Sequence, residues 1–171
     1  MGKKQSQQKA ATLNANTLST TFAWFEEARP APTSKQFHTQ TGVHFEEVAE
    51  MVEEIRPLTA QATVLLHEAK VSLKALATYL KQTDNTITVE PECRTNFLDA
   101  ICDQIVTATG VAAHCGFPVV EALDEVNASN WSKFVDGKAI VDANGKIMKG
   151  PGYFKPDLSA FVPSRITVLN D

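Results

Sequence analysis

The chain has 171 residues and a mass of 18.6 kDa, enough for one domain with a sizeable core. Sixteen Lys and Arg stand against twenty Asp and Glu, a formal net charge of -4. That balance argues against a nucleic-acid polymer as the main partner, which would require a basic surface.

Collagen-like, mucin-like and disulfide-scaffold classes are excluded by a composition of 43% hydrophobic and 21% charged residues. No apolar run approaches the roughly 18 residues needed to span a bilayer, and no charged-then-apolar signal opens the chain. Cys93, Cys102 and Cys115 are odd in number and lack CxxC spacing, which fits a reducing compartment and gives no zinc site. The expectation is a cytoplasmic protein with no membrane partner. Met1-Gly2-Lys3-Lys4-Gln5-Ser6 fits the myristoylation pattern, but that pattern is short and frequent by chance.

Residues 1–17 are Gln, Lys, Ala, Asn and Thr with little bulk, and are expected to form a disordered arm. A first helix is predicted from Ser19 to Arg29, ending at Pro30-Ala31-Pro32, with Thr33-Ser34-Lys35 continuing the break. A second runs from Thr39 to Ile55 on the stripe Phe45, Val48, Ala49, Val52 and Ile55. The third, Thr59 to Lys81, keeps Ala62, Leu65, Leu66, Ala69, Leu73, Leu76, Ala77 and Leu80 on one face. A fourth spans Arg94 to His114 and stops at Gly116; a fifth spans Pro118 to Phe134. Beyond it, Asn144-Gly145 between short apolar runs signals a hairpin, followed by a tail. The predicted architecture is an all-α helical bundle: an arm over 1–17, a helical domain over 18–134, and a hairpin and tail over 135–171 that pack on the domain or on a neighbouring subunit.

The acid is unevenly spread. Glu46, Glu47, Glu50, Glu53 and Glu54 crowd into nine residues, with spacings of three and four that place several on one helical face. Alone, such a run reads as a solvated face. No Lys or Arg lies within it, and a hard divalent cation, Mg²⁺ or Mn²⁺, would relieve the repulsion. Asp99 and Asp103 also share a face, on a helix otherwise rich in apolar residues. Aspartate is a poor helix former and is rarely buried unpaired, so the pair suggests a metal-holding partner inside the bundle. On the fifth helix Asn127, Asn130 and Lys133 follow one another at three-residue spacing. They read either as capping residues at a frayed end or as binders of phosphate or sugar. His38, His44 and His114 match no ligand spacing and read as packing or surface residues.

These residues together resemble the all-α nucleoside triphosphate pyrophosphohydrolases of the MazG-like superfamily, which includes the phosphoribosyl-ATP pyrophosphatases. The Glu-Glu-x-x-Glu helix is Glu46-Glu47-Val48-Ala49-Glu50, and the second acidic element is Asp99 and Asp103. The commoner form has a glutamate where Ala100 stands here; Asp99, one residue earlier, is expected to take its role. The likeness is greatest to a phage-encoded branch, from about Trp24 to about Phe161. It includes Glu125-Val126-Asn127, Asn130-Trp131-Ser132-Lys133-Phe134, Lys149-Gly150-Pro151 and Tyr153-Phe154-Lys155-Pro156-Asp157-Leu158.

The resemblance implies Mg²⁺-dependent cleavage of a nucleoside or deoxynucleoside triphosphate to the monophosphate and pyrophosphate, with Mn²⁺ as a possible substitute. It implies Glu47, Glu50, Asp99 and Asp103 as metal ligands and Glu46 as the group that orients or deprotonates water. Asn127, Asn130 and Lys133 would bind substrate, joined by Lys149 and Tyr153 from the C-terminal segment. It further implies a homodimer or homotetramer, in the host cytoplasm if phage-encoded. The alternative is a catalytically weak nucleotide- or metal-binding helical protein acting through partner contacts.

Overall fold

The computed structural model describes residues 17–141 and 147–164. The protein is all-α, with five helices and no strand longer than an isolated bridge among the described residues. These are α1 (residues 17–28), α2 (Ser34–Glu53), α3 (Ala60–Gln82), α4 (Arg94–His114) and α5 (Val119–Trp131). Among the described residues no single helix is long and apolar enough to cross a membrane. Residues 1–16 of the predicted arm, the Asn144-Gly145 turn and residues 165–171 lie outside the described residues, while Thr17, expected as the arm's last residue, is buried in the first turn of α1.

The chain divides into two compact units. One is Ala31–Glu92; the other is formed by the described residues of Met1–Pro30 and Cys93–Asp171.

The first unit is the antiparallel hairpin of α2 and α3. Helix α2 begins five residues before the predicted Thr39. The Thr33 hydroxyl accepts from the Gln36 amide while the Gln36 side chain accepts from the Thr33 amide, a capping box that starts the helix directly after the proline break. Thr59 caps α3 in the simpler way, accepting from Ala62 N at 3.1 Å. The seam between the helices is lined by small residues. Gly42, Ala49 and Ala77 are buried, and Leu80 beside them is almost wholly shielded from water. At the far end Lys35 Nζ donates to the carbonyls of Lys81 and Thr83 at 2.8 and 2.9 Å, satisfying the orphan acceptors that close α3.

In the second unit α1 lies on α5. Trp24, buried, donates from Nε1 to the Asn130 carbonyl at 2.9 Å, and its ring stacks on Phe134 with centroids 5.8 Å apart. Helix α4 ends in a Schellman motif. Gly116 sits at φ 73° and donates to Ala113 O, while Phe117 N donates to Ala112 O. The glycine stop predicted at Gly116 is therefore present, and it turns the chain into α5. Helix α5 ends at Trp131, three residues before the predicted Phe134, and the chain continues in turns.

Next comes a two-residue turn. Val135 and Lys138 exchange both backbone hydrogen bonds across Asp136 (φ 51°) and Gly137 (φ 73°), the double positive φ of a type I′ turn. Val141 and Ile147 pair in an antiparallel bridge that flanks the predicted Asn-Gly turn.

Candidate functional site

The four glutamates within α2 fall into two sets, and Glu54 stands at its C-cap. Two members face α3: Lys81 Nζ donates to Glu46 Oε1 at 2.6 Å, and Lys74 Nζ to Glu53 Oε1 at 2.7 Å, with Lys70 Nζ 3.6 Å away. The hydrogen bond from Lys74 is the main reason the Glu53 carboxyl lies below its ordinary range. These pairs are partly open to water, where screening leaves little net stabilisation. They show which glutamates the packing of Gly42 and Ala49 brings within reach of α3.

Glu47 and Glu50 are the other set. Among the described residues no basic side chain pairs with either. The Glu47 carboxyl is held above its ordinary range, first by loss of water around it, then by the charges of Glu50 and Glu46. Here is a carboxylate pair, three residues apart on one face, that no described lysine or arginine neutralises. Oxygen donors of this kind suit a hard divalent cation.

Asp99 and Asp103 lie on α4 in the other unit, four residues apart and both exposed. They are not embedded in apolar surroundings, as the neighbouring residue types had suggested. The four residues expected as metal ligands are thus two on α2 in one unit and two on α4 in the other. Among the described residues no group of three or more His, Cys, Asp or Glu is arranged to hold a metal ion.

The residues expected to bind substrate separate differently. Asn130, Lys133, Lys149 and Tyr153 meet at the C-terminal end of α5. Lys133 Nζ donates to Asn130 Oδ1 at 2.7 Å and lies 5.7 Å from the centroid of the Trp24 ring. Lys149 Nζ sits 4.6 Å over the ring of Tyr153. Burial lowers the Lys133 ammonium from its ordinary value; the charge of Lys149 lowers it further and Tyr153 opposes both.

The C-terminal segment is stapled there by α5. Ser129 Oγ donates to Phe154 O at 2.7 Å, Phe154 N to Ser132 Oγ at 3.1 Å, and Asp157 N to Glu125 Oε1 at 3.2 Å. Gly150 lies against the chain just after α5, where a Cβ would stand 2.7 Å from Val135 Cγ2 and 3.0 Å from Lys133 O. Any larger residue would have to displace the Val135 side chain or the backbone at Lys133.

Asn127 is occupied elsewhere. It is buried, its Nδ2 donates to Thr17 O at 3.1 Å, and its Oδ1 accepts from Thr21 Oγ1 at 2.9 Å. Its amide ties α1 to α5. Asn127→Ala should therefore cost about 1–2 kcal/mol in stability through two lost hydrogen bonds and a small cavity, read as a lower urea midpoint. Nucleotide affinity per folded molecule should stay within about twofold.

Sequence reasoning missed Trp24, Ser129, Ser132 and Gly150 as supports of this cluster. The i, i+3 serine pair directly before Lys133 was the available signal. The fold and these two clusters define an all-α helical protein with a carboxylate pair that no described basic side chain neutralises, and a lysine–aromatic group at the end of α5. Comparison with protein-family models, with curated proteins and with solved structures finds no significant match to this chain.

Proposed function

We propose that the protein is a Mg²⁺-dependent nucleoside triphosphate pyrophosphohydrolase, built as the helical bundle of the MazG-like enzymes and acting as a homodimer or homotetramer. The observation that carries this reading is the Glu47–Glu50 pair. Among the described residues no basic side chain pairs with either member, and lost hydration with the charges of Glu50 and Glu46 holds the Glu47 carboxyl above its ordinary range. The Glu47–Glu50 donors fit Mg²⁺ or Mn²⁺, and Asp99 and Asp103 offer the same hard oxygen donors on α4. When bound, the metal supplies positive charge to the triphosphate and lowers the pKa of water.

The chain's own residues have the following roles. Glu46, oriented by Lys81, accepts the proton of the attacking water. The water oxygen bonds to the α-phosphorus as the bond to the α–β bridging oxygen breaks. Pyrophosphate leaves and the nucleoside monophosphate remains. Lys133 and Lys149 bind phosphate oxygens as point charges, Asn130 orients Lys133, and Tyr153 holds Lys149 in place.

The test is a panel of ribo- and deoxynucleoside triphosphates with Mg²⁺ and separation of products. Equimolar monophosphate and pyrophosphate are expected. Orthophosphate, or no turnover of any nucleotide, would overturn the reading. Two observations favour a second reading. The Glu46 carboxylate is already engaged by Lys81, and Ala100 replaces a family glutamate. A protein that binds nucleotide or metal without turnover would show saturable binding and no product.

A further inference from the structure

His38, on the second turn of α2, is one of the two largest side chains fully shielded from water among the described residues. Its ring is bonded on both sides. Nδ1 lies 2.9 Å from the Ser34 carbonyl, four residues back, and can only donate to it. Nε2 faces two donors, the backbone amides of Thr86 at 2.8 Å and Ile87 at 3.1 Å, and accepts from both. The ring is therefore the neutral Nδ1–H tautomer.

The segment it holds, Thr83 to Ile87, is where the chain leaves α3. It carries Asn85 at φ 55° and is otherwise pinned through side chains, with Ser34 Oγ bonded to Asp84 Oδ1 at 2.7 Å and Thr83 Oγ1 near Thr86 Oγ1 at 3.1 Å. The charged groups around the ring are few. Asp84 Oδ1 is 3.8 Å from Nδ1. Lys35 reaches across from α2 to the carbonyls of Lys81 and Thr83, and the Lys81 ammonium is turned to Glu46. Phe37 closes one side, its ring edge-on to the imidazole.

We propose that His38 is an acid-sensitive latch that fastens the Thr83–Ile87 segment to α2 and releases it when the ring is protonated. A proton on Nε2 would place an N–H against two N–H groups with no acceptor between them. The imidazolium cannot keep this arrangement without losing both bonds, and Thr86 and Ile87 must turn to water. Asp84 draws the charged ring towards Nδ1 and Lys35 repels it, so neither supplies a replacement acceptor at Nε2. Asp84 itself, held below its ordinary range chiefly by the Ser34 hydroxyl, is still ionised when a histidine charges. The acid response is therefore separable from that of the carboxylate.

The experiment is residue-resolved amide hydrogen exchange on the full chain across a pH series, corrected for intrinsic exchange, with the His38 ring titration followed by NMR. In the parent protein, protection of the Thr86 and Ile87 amides should fall at least tenfold at the pH where the His38 ring titrates. The central amides of α2 and α3 should keep theirs. In His38→Gln, whose side-chain oxygen accepts hydrogen bonds but does not titrate, that step should vanish. The proposal is overturned if Thr86 and Ile87 stay protected after the ring has charged, or if the variant loses protection at the same pH. Should His38→Gln fail to fold, coincidence of ring titration and amide release in the parent protein decides the matter alone.

Discussion

Glu50→Gln should lower pyrophosphate release at least about a hundredfold, since even indirect partners of a metal site cost ten- to a hundredfold when lost. The same substitution should raise the thermal midpoint of the metal-free protein at neutral pH. The second effect follows from Glu47. Its carboxyl titrates above the ordinary value because of lost hydration and the neighbouring charges of Glu50 and Glu46. A group whose folded pKa is raised gives its full stability below the unfolded value, and that stability is lost as pH rises through the folded value. At neutral pH the folded protein therefore carries an ionised Glu47 at a cost, and removing the Glu50 charge lessens it.

With Mg²⁺ the order should reverse. On the proposed metal site the parent should gain stability from binding and the variant should not, so their melting temperatures should cross as the metal is titrated. Glu46→Gln provides the contrast. It removes a carboxylate bonded to Lys81 at 2.6 Å, so its metal-free midpoint should fall slightly. Midpoints that move together for both variants would remove the distinction between the two glutamate sets. A binder without turnover would reproduce the crossing of the melting curves and show no product in the parent.

The division of the glutamates explains what sequence could and could not reveal. Periodicity found α4 with its bounds, because a long apolar stripe ends at a glycine whose φ of 73° a side chain would resist. It placed the start of α2 too late, because the proline break hid the Thr33–Gln36 capping box, itself readable as T-x-x-Q. It extended α5 too far, because Lys133 and Phe134 keep the helical spacing while their backbones make turn hydrogen bonds to Asn130 and Trp131. The Asp136-Gly137 turn carries the same signal as Asn144-Gly145 and passed unread.

The site was less legible because its partners are distant in sequence. The cations that take Glu46 and Glu53 are Lys81, Lys74 and Lys70, themselves a stripe on α3, and only the hairpin shows which glutamates they reach. Asn127 and Asn130 look alike as helical asparagines. The first is consumed by Thr17 and Thr21, more than a hundred residues away; the second leaves its side chain to Lys133. A residue type out of place in a helix marks a need, and tertiary contacts decide whether a ligand or another helix meets it.

The hairpin itself rests on Gly42, and Gly42→Leu should destabilise the chain by about 3 kcal/mol, with Gly42→Ala costing about 1–2 kcal/mol. A glycine inside a helix is ordinarily a weakness that alanine would repair by roughly 0.5–1 kcal/mol. Here the repair is blocked. A Cβ at position 42 would stand 2.8 Å from the Ala77 carbonyl oxygen, 2.9 Å from Lys81 Cγ and 3.2 Å from Leu80 Cβ. The first of these is backbone in the middle of α3 and the last is almost fully buried, so neither can yield without moving the helix. Alanine forces α3 outward by a few tenths of an ångström. Leucine must open the seam, uncovering Ala49, Ala77 and Leu80 and stretching the Lys81–Glu46 pair. Urea denaturation should show the midpoint falling from glycine to alanine to leucine with the slope unchanged. Hydrogen exchange should place the lost protection in α2 and α3 rather than in α4 and α5. An alanine variant as stable as the parent would mean that the two helices do not approach as closely as the 2.8 Å contact requires.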